Sequence, residues 1–307
     1  MHRTIEITTA THDTDELLRA LEPLTEVTGL SVTRSASIKP KGDVVTVHVL
    51  NRGADEVLKR AREYGGERVS VVTAELISII DTQHKDAVDR DVDEAIWEEM
   101  ETGLRHQGRV TPNYVALMAL GGAIAAIGLV SEPAPQAIAF VAASIIAPGF
   151  ESLAKIPLGI VLGRWNVVWR GLVSSVVGYT ALILAAALTM LILLATHNVE
   201  VSEIVSNPEV KNIAEPKLKE MIVSGVAAVA GMVMIAAYRR TVIAGPLVAL
   251  VLIPAAALVG AGVAARRTNL AFEGIERWGL DVLFIIAAGL LVFFVKQLFV
   301  HRRKPIV

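Results

Sequence analysis

Cysteine is absent from the 307-residue chain. This absence excludes disulfide bonds, thiolate metal sites and a cysteine nucleophile, and it leaves the redox compartment undetermined. Aromatic residues make up 5% of the sequence and the net charge at pH 7 is −2. Because nucleic-acid-binding proteins carry a basic surface, often with aromatic side chains that stack on bases, we expect no nucleic-acid partner.

Signatures of catalysis are also missing. The sequence has no GxSxG, Walker A or HExxH motif, and its seven histidines are scattered without ligand spacing. The apolar segments hold one candidate aspartate, so a paired aspartate site is excluded as well. We therefore expect no enzymatic activity, no catalytic residue, no metal site and no cofactor. The N-terminus is polar, and no cleavable signal peptide is predicted.

Apolar residues, by contrast, are in excess. Hydrophobic residues make up 53% of the chain, above the roughly 45–50% that is usual in globular proteins. A hydrocarbon core of about 30 Å needs roughly 20 helical residues. The apolar segments predict a polytopic α-helical membrane protein with six spans, at residues 113–130, 134–163, 167–196, 220–238, 241–265 and 279–300.

The distribution of lysine and arginine predicts the orientation of these spans. Most of the arginines in short loops, together with the terminal HRRK, fall on one side if all six segments cross. By the positive-inside rule we expect a multi-pass protein of the plasma (inner) membrane with both termini in the cytoplasm. Arg266 and Arg267 fall on the other side and do not fit this pattern.

Residues 1–80 differ in character and predict a cytoplasmic α+β domain. RTIEITTA alternates with a period of two, and DTDELLRALEPL places its leucines on one helical face. A hairpin, a second helix and a last strand follow, which gives the order β-α-β-β-α-β. This is the split βαβ arrangement of ferredoxin-like domains. Such a domain is either an ordered cap that helps assembly or a ligand sensor, and the sequence leaves both interpretations open.

Residues 81–111 are predicted to form an amphipathic linker helix before the transmembrane domain, residues 112–307. Apolar residues recur at every fourth position along this charged segment, which indicates a helix with one apolar stripe. The stripe could lie on the membrane surface, pack against the N-terminal domain or pair with a neighbouring subunit. Its members are Val88, Val92, Ile96, Met100 and Leu104.

The membrane half also contains two similar segments. GGAIAAIGLVS at residues 121–131 resembles SGVAAVAGMVM at residues 224–234, and an apolar stretch interrupted by proline follows each of them. Because a unit of three crossings reverses the direction of the chain, two such units would be inverted copies. This predicts an inverted 3+3 repeat, in which a binding site lies on discontinuous helices near the midplane.

The stretch IIAPGFESLAKIPLGIVLGR, residues 145–164, is where that discontinuity is expected. As one straight helix, residues 134–163 would be about 45 Å long, so a break at the proline and glycine is predicted. The glutamate and the lysine that follow lie one helical turn apart. The candidate residues for ion or solute binding are Pro148, Gly149, Glu151, Ser152 and Lys155.

Two other interpretations of this stretch remain open. The glutamate and lysine could be a self-neutralising pair that stabilises a kink, or they could lie in an interfacial loop of a re-entrant hairpin. Further prolines and glycines are assigned to helix breaks or close packing: Pro157, Gly159, Gly163, Pro246 and Pro254. In the last span, Asp281 and Lys296 are expected at the interfaces, where a charged end reaches water.

The sequence from Asn113 to Gly163 resembles the membrane family catalogued as domain of unknown function 389. The resemblance implies an N-terminal α/β segment followed by a helical membrane domain. It differs at the break, where the family commonly has Leu-Met-Gly-Pro and this chain has Phe150-Glu151-Ser152, and it implies no activity. It rests on Asn113, Tyr114, Ile127, Gly128, Ser131, Pro133, Pro148, Gly149, Gly159 and Gly163.

Two functions are consistent with these features. The first is a transporter or channel for a small ion or solute, gated or regulated by the ferredoxin-like domain. The alternative is a membrane-anchored ligand sensor or assembly scaffold without transport activity. The expected partners are membrane lipid, the small ion or solute, and further copies of the chain in a dimer or trimer.

Overall fold

The computed structural model describes residues 2–66, 68–76, 81–82, 84–91, 94–237 and 241–300, and only the backbone of residues 241–250. The chain divides into two compact units. Residues up to Glu98 form the first unit and Glu99–Val300 the second. We call them the sheet unit and the helical unit.

The sheet unit has the element order β-α-β-β-α-β that the sequence predicts. Its four strands are antiparallel to their neighbours and lie in the order β2-β3-β1-β4. A short 3₁₀ turn at Asn51–Gly53 precedes α2. The elements are β1 His2–Thr9, α1 Thr14–Leu21, β2 Val27–Ile38, β3 Lys41–Val49, α2 Ala54–Tyr64 and β4 Ser70–Leu76.

Alternation along the strands accounts for the core of the sheet unit. Ile5 and Ile7 on β1 are fully buried, and so are Leu17 and Leu21 on α1. Side chains at every second strand position point to one face of a sheet, and both helices pack on that face within a single apolar cluster. The period of two in the sequence therefore marks the covered face of the sheet.

Asp43, near the start of β3, is the centre of a hydrogen-bond network in the sheet unit. Its carboxylate accepts hydrogen bonds from the Ser35 amide at 2.8 Å, from Thr14 Oγ1 at 2.9 Å and from Arg34 Nη1 at 3.0 Å. The bond from the Ser35 amide, with support from the two side chains, lowers the pKa of Asp43 to about 2. Every group in this network has a partner, so its role is to fix the hairpin against α1.

The single linker helix predicted for residues 81–111 is wrong. The segment contains two helices, α3 Lys85–Asp89 and α4 Trp97–Gln107. Between them, Asp91 accepts a hydrogen bond from the Asn51 amide at 2.7 Å and lies 3.1 Å from His2 Nδ1. These contacts hold the chain against the sheet unit and interrupt the helix. Ile96 is fully buried in the core of that unit, so packing accounts for this part of the apolar stripe.

The helical unit makes the protein mostly helical, and its longest helices are apolar. Three of them, α8, α11 and α13, are long and apolar enough to cross a membrane, or five spans result if the bent pairs α4–α5 and α6–α7 each count as one. The helices are α5 Pro112–Gly128, α6 Pro133–Ile146, α7 Gly149–Val161, α8 Trp165–Ala195, α9 Val201–Ser206, α10 Pro208–Ala214, α11 Leu218–Ala236, α12 Thr241–Ala264 and α13 Thr268–Phe299.

The turns that precede α8 and α13 have the same backbone geometry. The Arg164 amide donates to the Gly159 carbonyl at 2.7 Å, and the Arg267 amide donates to the Gly262 carbonyl at 2.8 Å. In each turn the residue before the arginine is left-handed, with φ of 66° at Gly163 and 55° at Arg266. The two turns are separated by the same sequence offset that relates residues 121–131 to 224–234.

We call residues 112–195 and 218–299 the two halves of the helical unit. Contacts between them also come in pairs at this offset. A Cβ on Gly289 of α13 would lie 2.4 Å from Pro157 Cγ of α7. A Cβ on Gly260 of α12 would lie 3.1 Å from Ala186 Cβ of α8. At the same offset, Pro157 corresponds to Gly260 and Ala186 corresponds to Gly289. The same contact is therefore made twice with the roles exchanged.

The two halves begin at opposite ends of the helical unit. Asn207, between α9 and α10, donates from Nδ2 to the Ser131 carbonyl at 3.3 Å, so this connector lies where α5 has just ended. Helix α11 starts shortly after the connector. At the other end, Lys296 Nζ donates to the Ala236 carbonyl at 2.7 Å, which places the last turns of α11 and α13 together. Helices α5 and α11 therefore run in opposite directions.

Candidate functional site

The predicted break between the proline and the glycine is confirmed. Helix α6 ends at Ile146, Pro148 has non-helical ψ of 52°, and α7 begins at Gly149. The axes of the two helices differ by 50°. Since proline cannot donate a backbone hydrogen bond and disfavours helix in the residue before it, the break follows directly from the sequence.

Glu151 lies in the first turn of α7 and is only 6% exposed. Among the described residues, its Oε2 atom has no hydrogen-bond partner. The N-terminal end of a helix carries a partial positive charge that stabilises a carboxylate, but burial without a partner is costly. A buried carboxylate with one free oxygen is a group that a ligand can complete.

Hydrogen bonds of two serines and a tyrosine join α7 and α5 to α8. Ser152 Oγ donates to the Gly149 carbonyl at 2.8 Å and accepts from Ser175 Oγ of α8 at 3.2 Å. Tyr114 of α5 donates from its hydroxyl to the Ser174 carbonyl at 2.8 Å. The start of α7 is therefore held by α8 as well as by its own backbone, and α5 is bonded to the same helix.

Lys155 is 5% exposed, and its ammonium group donates to the carbonyl of Gly108 just beyond α4. Within the described part of the chain, no ion pair joins it to Glu151. The interpretation as a self-neutralising pair does not match this geometry, because the lysine is directed to a helix C-terminal end and the carboxylate is left without it. Each of the two charged groups therefore has a separate environment.

Glu151 lines a cavity of about 440 Å³ at the break, which we call the break cavity. The cavity extends from the first half of α5 to the last turn of α6 and the start of α7. Polar and apolar residues both line it, and polar side chains at this depth are unusual among apolar helices. The lining side chains that carry polar groups are His106, Gln107, Arg109, Thr111, Asn113, Tyr114, Ser144 and Glu151.

A second cavity of about 300 Å³ lies at the other end of the helical unit, and we call it the far cavity. It is formed by α10, the first turns of α11, α12 and Arg277 of α13. Some of its residues correspond to those of the break cavity at the offset described above. Leu117, Pro148 and Glu151 of the break cavity correspond to Glu220, Val251 and Pro254 of the far cavity.

Arg277 and Asp281 of α13 form a buried ion pair next to the far cavity. Arg277 Nε lies 3.2 Å from Asp281 Oδ2, with side-chain exposures of 2% and 4%. Arg277 Nη2 also donates to Ser224 Oγ of α11 at 2.6 Å. Among the described residues, Asp281 Oδ1 has no hydrogen-bond partner. This is the second place where ionised groups lie deep among apolar helices.

The sequence pattern did not predict this pair. Asp281 and Lys296 were expected to reach water at the interfaces, and that expectation is wrong because both side chains are 4% exposed. The last helix begins at Thr268, well before the predicted residue 279, so Arg277 was placed outside the span. One signal could have found it: Gly274, Arg277 and Asp281 share a helical face by their spacing of three and four.

Comparison with known proteins bears on the region that contains both sites. A family model described as Domain of unknown function (DUF389) matches residues 144–287. The resemblance is confirmed over this range. No curated protein matches the chain. No solved structure matches it either.

The DUF389 match begins at the end of α6 and ends inside α13. It therefore covers the break, both turns with the left-handed residue, and the ion pair of Arg277 and Asp281. The residues from Asn113 to Pro133, on which part of the resemblance rests, precede the matched range. The family description carries no activity, so the chemistry has to be argued from the site.

Two aromatic side chains within the DUF389 range lie between the two polar sites. The rings of Tyr179 and Trp278 are 5.1 Å apart and inclined by 59°. The Tyr179 hydroxyl lies beside the start of α7, since a Cβ on Gly149 would be 2.5 Å from it. Trp278 adjoins Arg277 in the sequence. The pair thus connects the surroundings of Glu151 with those of the buried ion pair.

The remaining predicted residues have packing roles. Pro157 lies inside α7 without a break, and Gly159 allows α7 to approach the start of α8. A second break at Pro246 and Pro254 is wrong, because α12 is continuous through both positions. The side chain of Pro246 lies outside the described residues, and Pro254 lines the far cavity. In the part of the chain that the structure describes, no three His, Asp or Glu side chains form a metal site.

Proposed function

We propose that the helical unit is a transporter or channel for a small ion or solute. The observation that carries this proposal is Glu151, a buried carboxylate with a free oxygen, in the wall of a cavity at a helix break. An ionisable group among membrane helices is rare and costly, and such groups commonly mark ion or substrate pathways. A free carboxylate oxygen favours a cation, a proton or a solute with a hydrogen-bond donor.

The proposed route joins the break cavity to the far cavity. The two cavities lie at opposite ends of the helical unit, and Tyr179 and Trp278 separate them. In alternating access, one repeat moves against the other around a central site so that one end opens while the other closes. The aromatic pair is placed to close the route, and the ion pair of Arg277 and Asp281 lies on its far side.

The proposal includes an inverted repeat of two halves, residues 112–195 and 218–299. It is supported by the matched turns at Arg164 and Arg267, by the exchanged contacts of α7 with α13 and α8 with α12, and by the opposite directions of α5 and α11. Three crossings in each half require α12 to be a span, which makes six in total. An even number leaves both termini on one side, proposed as the cytoplasm of a cell with the protein in its plasma membrane.

The sheet unit is proposed as a ferredoxin-like domain that gates or regulates the route. The strand order β2-β3-β1-β4 with both helices on one face supports this fold. Self-association as a dimer or trimer is part of the same proposal, as is the absence of an enzymatic step. Regulation by the sheet unit depends on transport activity, so transport is tested first.

The test is solute flux into liposomes that contain the purified full-length protein. The comparison is between the natural chain, Glu151→Gln and the matched control Glu132→Gln, whose glutamate lies outside both cavities. We expect Glu151→Gln to reduce flux of the transported ion roughly tenfold to a hundredfold, as for loss of a charged contact. Glu132→Gln should leave flux unchanged, and circular dichroism should show folded protein for all three.

A second measurement distinguishes a route whose solute was not among those tested from the absence of any route. Since the chain has no cysteine, Ser144→Cys adds a single thiol in the wall of the break cavity for a membrane-impermeant maleimide. Labelling from one side of sealed vesicles is expected if the break cavity is aqueous. Absence of both labelling and flux, while a cysteine at Ser202 reacts, would contradict transport and favour the sensor or scaffold function.

A further inference from the structure

A third cavity, which shares His106 and Arg109 with the break cavity, has an excess of positive charge. It measures about 710 Å³ and lies between the end of α4 and the first turns of α8. We call it the basic cavity. No acidic side chain lines it among the described residues. Its lining residues are Arg105, His106, Arg109, Val110, Lys155, Trp169, Arg170 and Val173.

The cations of the basic cavity are not neutralised by the protein. Within the described residues, Arg105, Arg109 and Arg170 form no side-chain hydrogen bond or ion pair. Glu101 lines an adjoining space of about 20 Å³ together with Arg105, Lys155 and Arg170. Glu101 is already paired with Arg164. The cavity therefore keeps a surplus of charge that an anion can balance.

The position of the cavity on α8 indicates where such an anion comes from. Helix α8 is one of the three long apolar helices. Its first turns expose Trp165 by 72% and Trp169 by 66%, and Val176 further along the helix is 66% exposed. Tryptophan concentrates at the boundary between hydrocarbon and headgroups. The basic cavity thus lies at headgroup depth, with apolar surface of α8 extending from it towards the hydrocarbon.

We propose that the basic cavity binds the phosphate of an anionic phospholipid whose acyl chains lie along α8. Arginine forks fit phosphate oxygens and lysine adds a point charge. Lys155 takes part with the donors that remain beyond its bond to the Gly108 carbonyl. Because Lys155 and Glu151 are one turn apart on α7, the bound headgroup contacts the helix that begins at the break.

The test uses quenching of tryptophan fluorescence in the full-length protein, since Trp169 lies in the cavity wall. The protein is reconstituted in phosphatidylcholine nanodiscs with a small fraction of either brominated phosphatidylglycerol or brominated phosphatidylcholine. We expect stronger quenching by the anionic lipid. The variant Trp169→Phe should remove that excess, which assigns it to this cavity rather than to the other tryptophans.

Charge variants decide whether the cavity is specific. The double change Arg105→Gln and Arg170→Gln should weaken the preference for phosphatidylglycerol by roughly 25-fold, since each basic residue near a charged surface contributes about fivefold. The matched control is Arg266→Gln with Arg267→Gln, two exposed arginines in the corresponding turn outside the basic cavity. It should keep the preference.

Three outcomes would overturn the proposal. Equal quenching by the two brominated lipids would mean that no anionic lipid is selected. An equal loss of preference in the Arg266 and Arg267 control would assign the effect to general surface charge. Removal of the excess quenching by millimolar inorganic phosphate would assign the cavity to a free anion instead of a lipid.

Discussion

The two halves of the helical unit share one turn and one pair of helix contacts, and they differ at the helix break and in their chemistry. Both contain the same turn, with a left-handed residue before Arg164 or Arg267, and both use the same close contacts between helices. The ionisable groups do not follow this correspondence. Glu151 and Lys155 of the first half correspond to Pro254 and Leu258 of the second, at the offset that aligns the turns.

On the long helices, the charged residues lie in the second half and the uncharged residues lie in the first. Arg277 and Asp281 of α13 correspond to Ser174 and Gly178 of α8. The first half therefore carries its charges on the broken helix, and the second half carries them on the last helix. Packing therefore constrains the positions of small residues in both halves, whereas each polar site is constrained only by its own partners and cavity.

The largest effect is expected when the buried ion pair of the second half is broken, because the first half has no such pair among its described residues. Asp281→Ala leaves the Arg277 guanidinium buried without its carboxylate, and loss of one partner of a buried pair costs about 3–5 kcal/mol. We expect the free energy of unfolding to fall by that amount in a denaturant titration of the purified protein. Glu276→Ala, an exposed neighbour on the same helix, should change it by less than about 0.5 kcal/mol.

Replacing both partners makes the second half resemble the first more closely. Arg277→Leu combined with Asp281→Ala removes both charges, and we expect most of the lost stability to return, because apolar replacement of a buried pair is often neutral. If the double variant is as unstable as Asp281→Ala alone, the pair is not the source of the loss. If the double variant is stable, its flux shows whether the two charges also serve transport.

A smaller effect is expected at two corresponding glycines. A Cβ on Gly122 would lie 2.2 Å from the Leu182 carbonyl oxygen, whereas nothing lies within 4 Å of one on Gly225. Gly122→Ala should destabilise the protein by about 1–3 kcal/mol through overpacking. Gly225→Ala should stabilise it by up to about 1 kcal/mol through helix propensity. Equal effects in the thermal midpoint would mean that the halves pack alike here.

The smallest effect concerns the left-handed residue of the matched turns. The first half has Gly163 and the second has Arg266, with φ of 66° and 55°. A non-glycine residue in this region is strained by roughly 1–2 kcal/mol. Arg266→Gly should therefore stabilise the protein by about 1 kcal/mol, and Gly163→Ala should destabilise it by a similar amount. A stability loss in Arg266→Gly would indicate that the arginine side chain contributes more than the strain costs.

Local rules were sufficient for some of these features and insufficient for others. The break at Pro148 and the order of elements in the sheet unit could be predicted, because a missing donor and a period of two act within a few residues. The single helix predicted before the membrane domain was wrong, because contacts of Asp91 with distant residues interrupt it. The burial of Asp281 depended on where α13 begins and on which helices surround it.

The matched turns also explain an irregularity in the distribution of positive charge. Arg266 and Arg267 did not fit the orientation predicted from the other arginines. Arg267 occupies the same backbone position as Arg164, at the start of a helix after the left-handed residue. Under the proposed inverted repeat, a residue at a turn that occurs in both halves lies once on each side of the membrane. A rule that only counts charges cannot separate such a position from one selected for orientation.

The exchanged contacts resemble those of a symmetric dimer. Pro157 contacts Gly289, and their counterparts Gly260 and Ala186 contact each other, so exchanging the two halves exchanges the two contacts. A self-complementary surface of this kind is what a closed two-fold dimer requires. Under the proposed inverted repeat, one half produced alone is expected to pair with a second copy through these contacts, and residues 196–217 join the two halves in one chain.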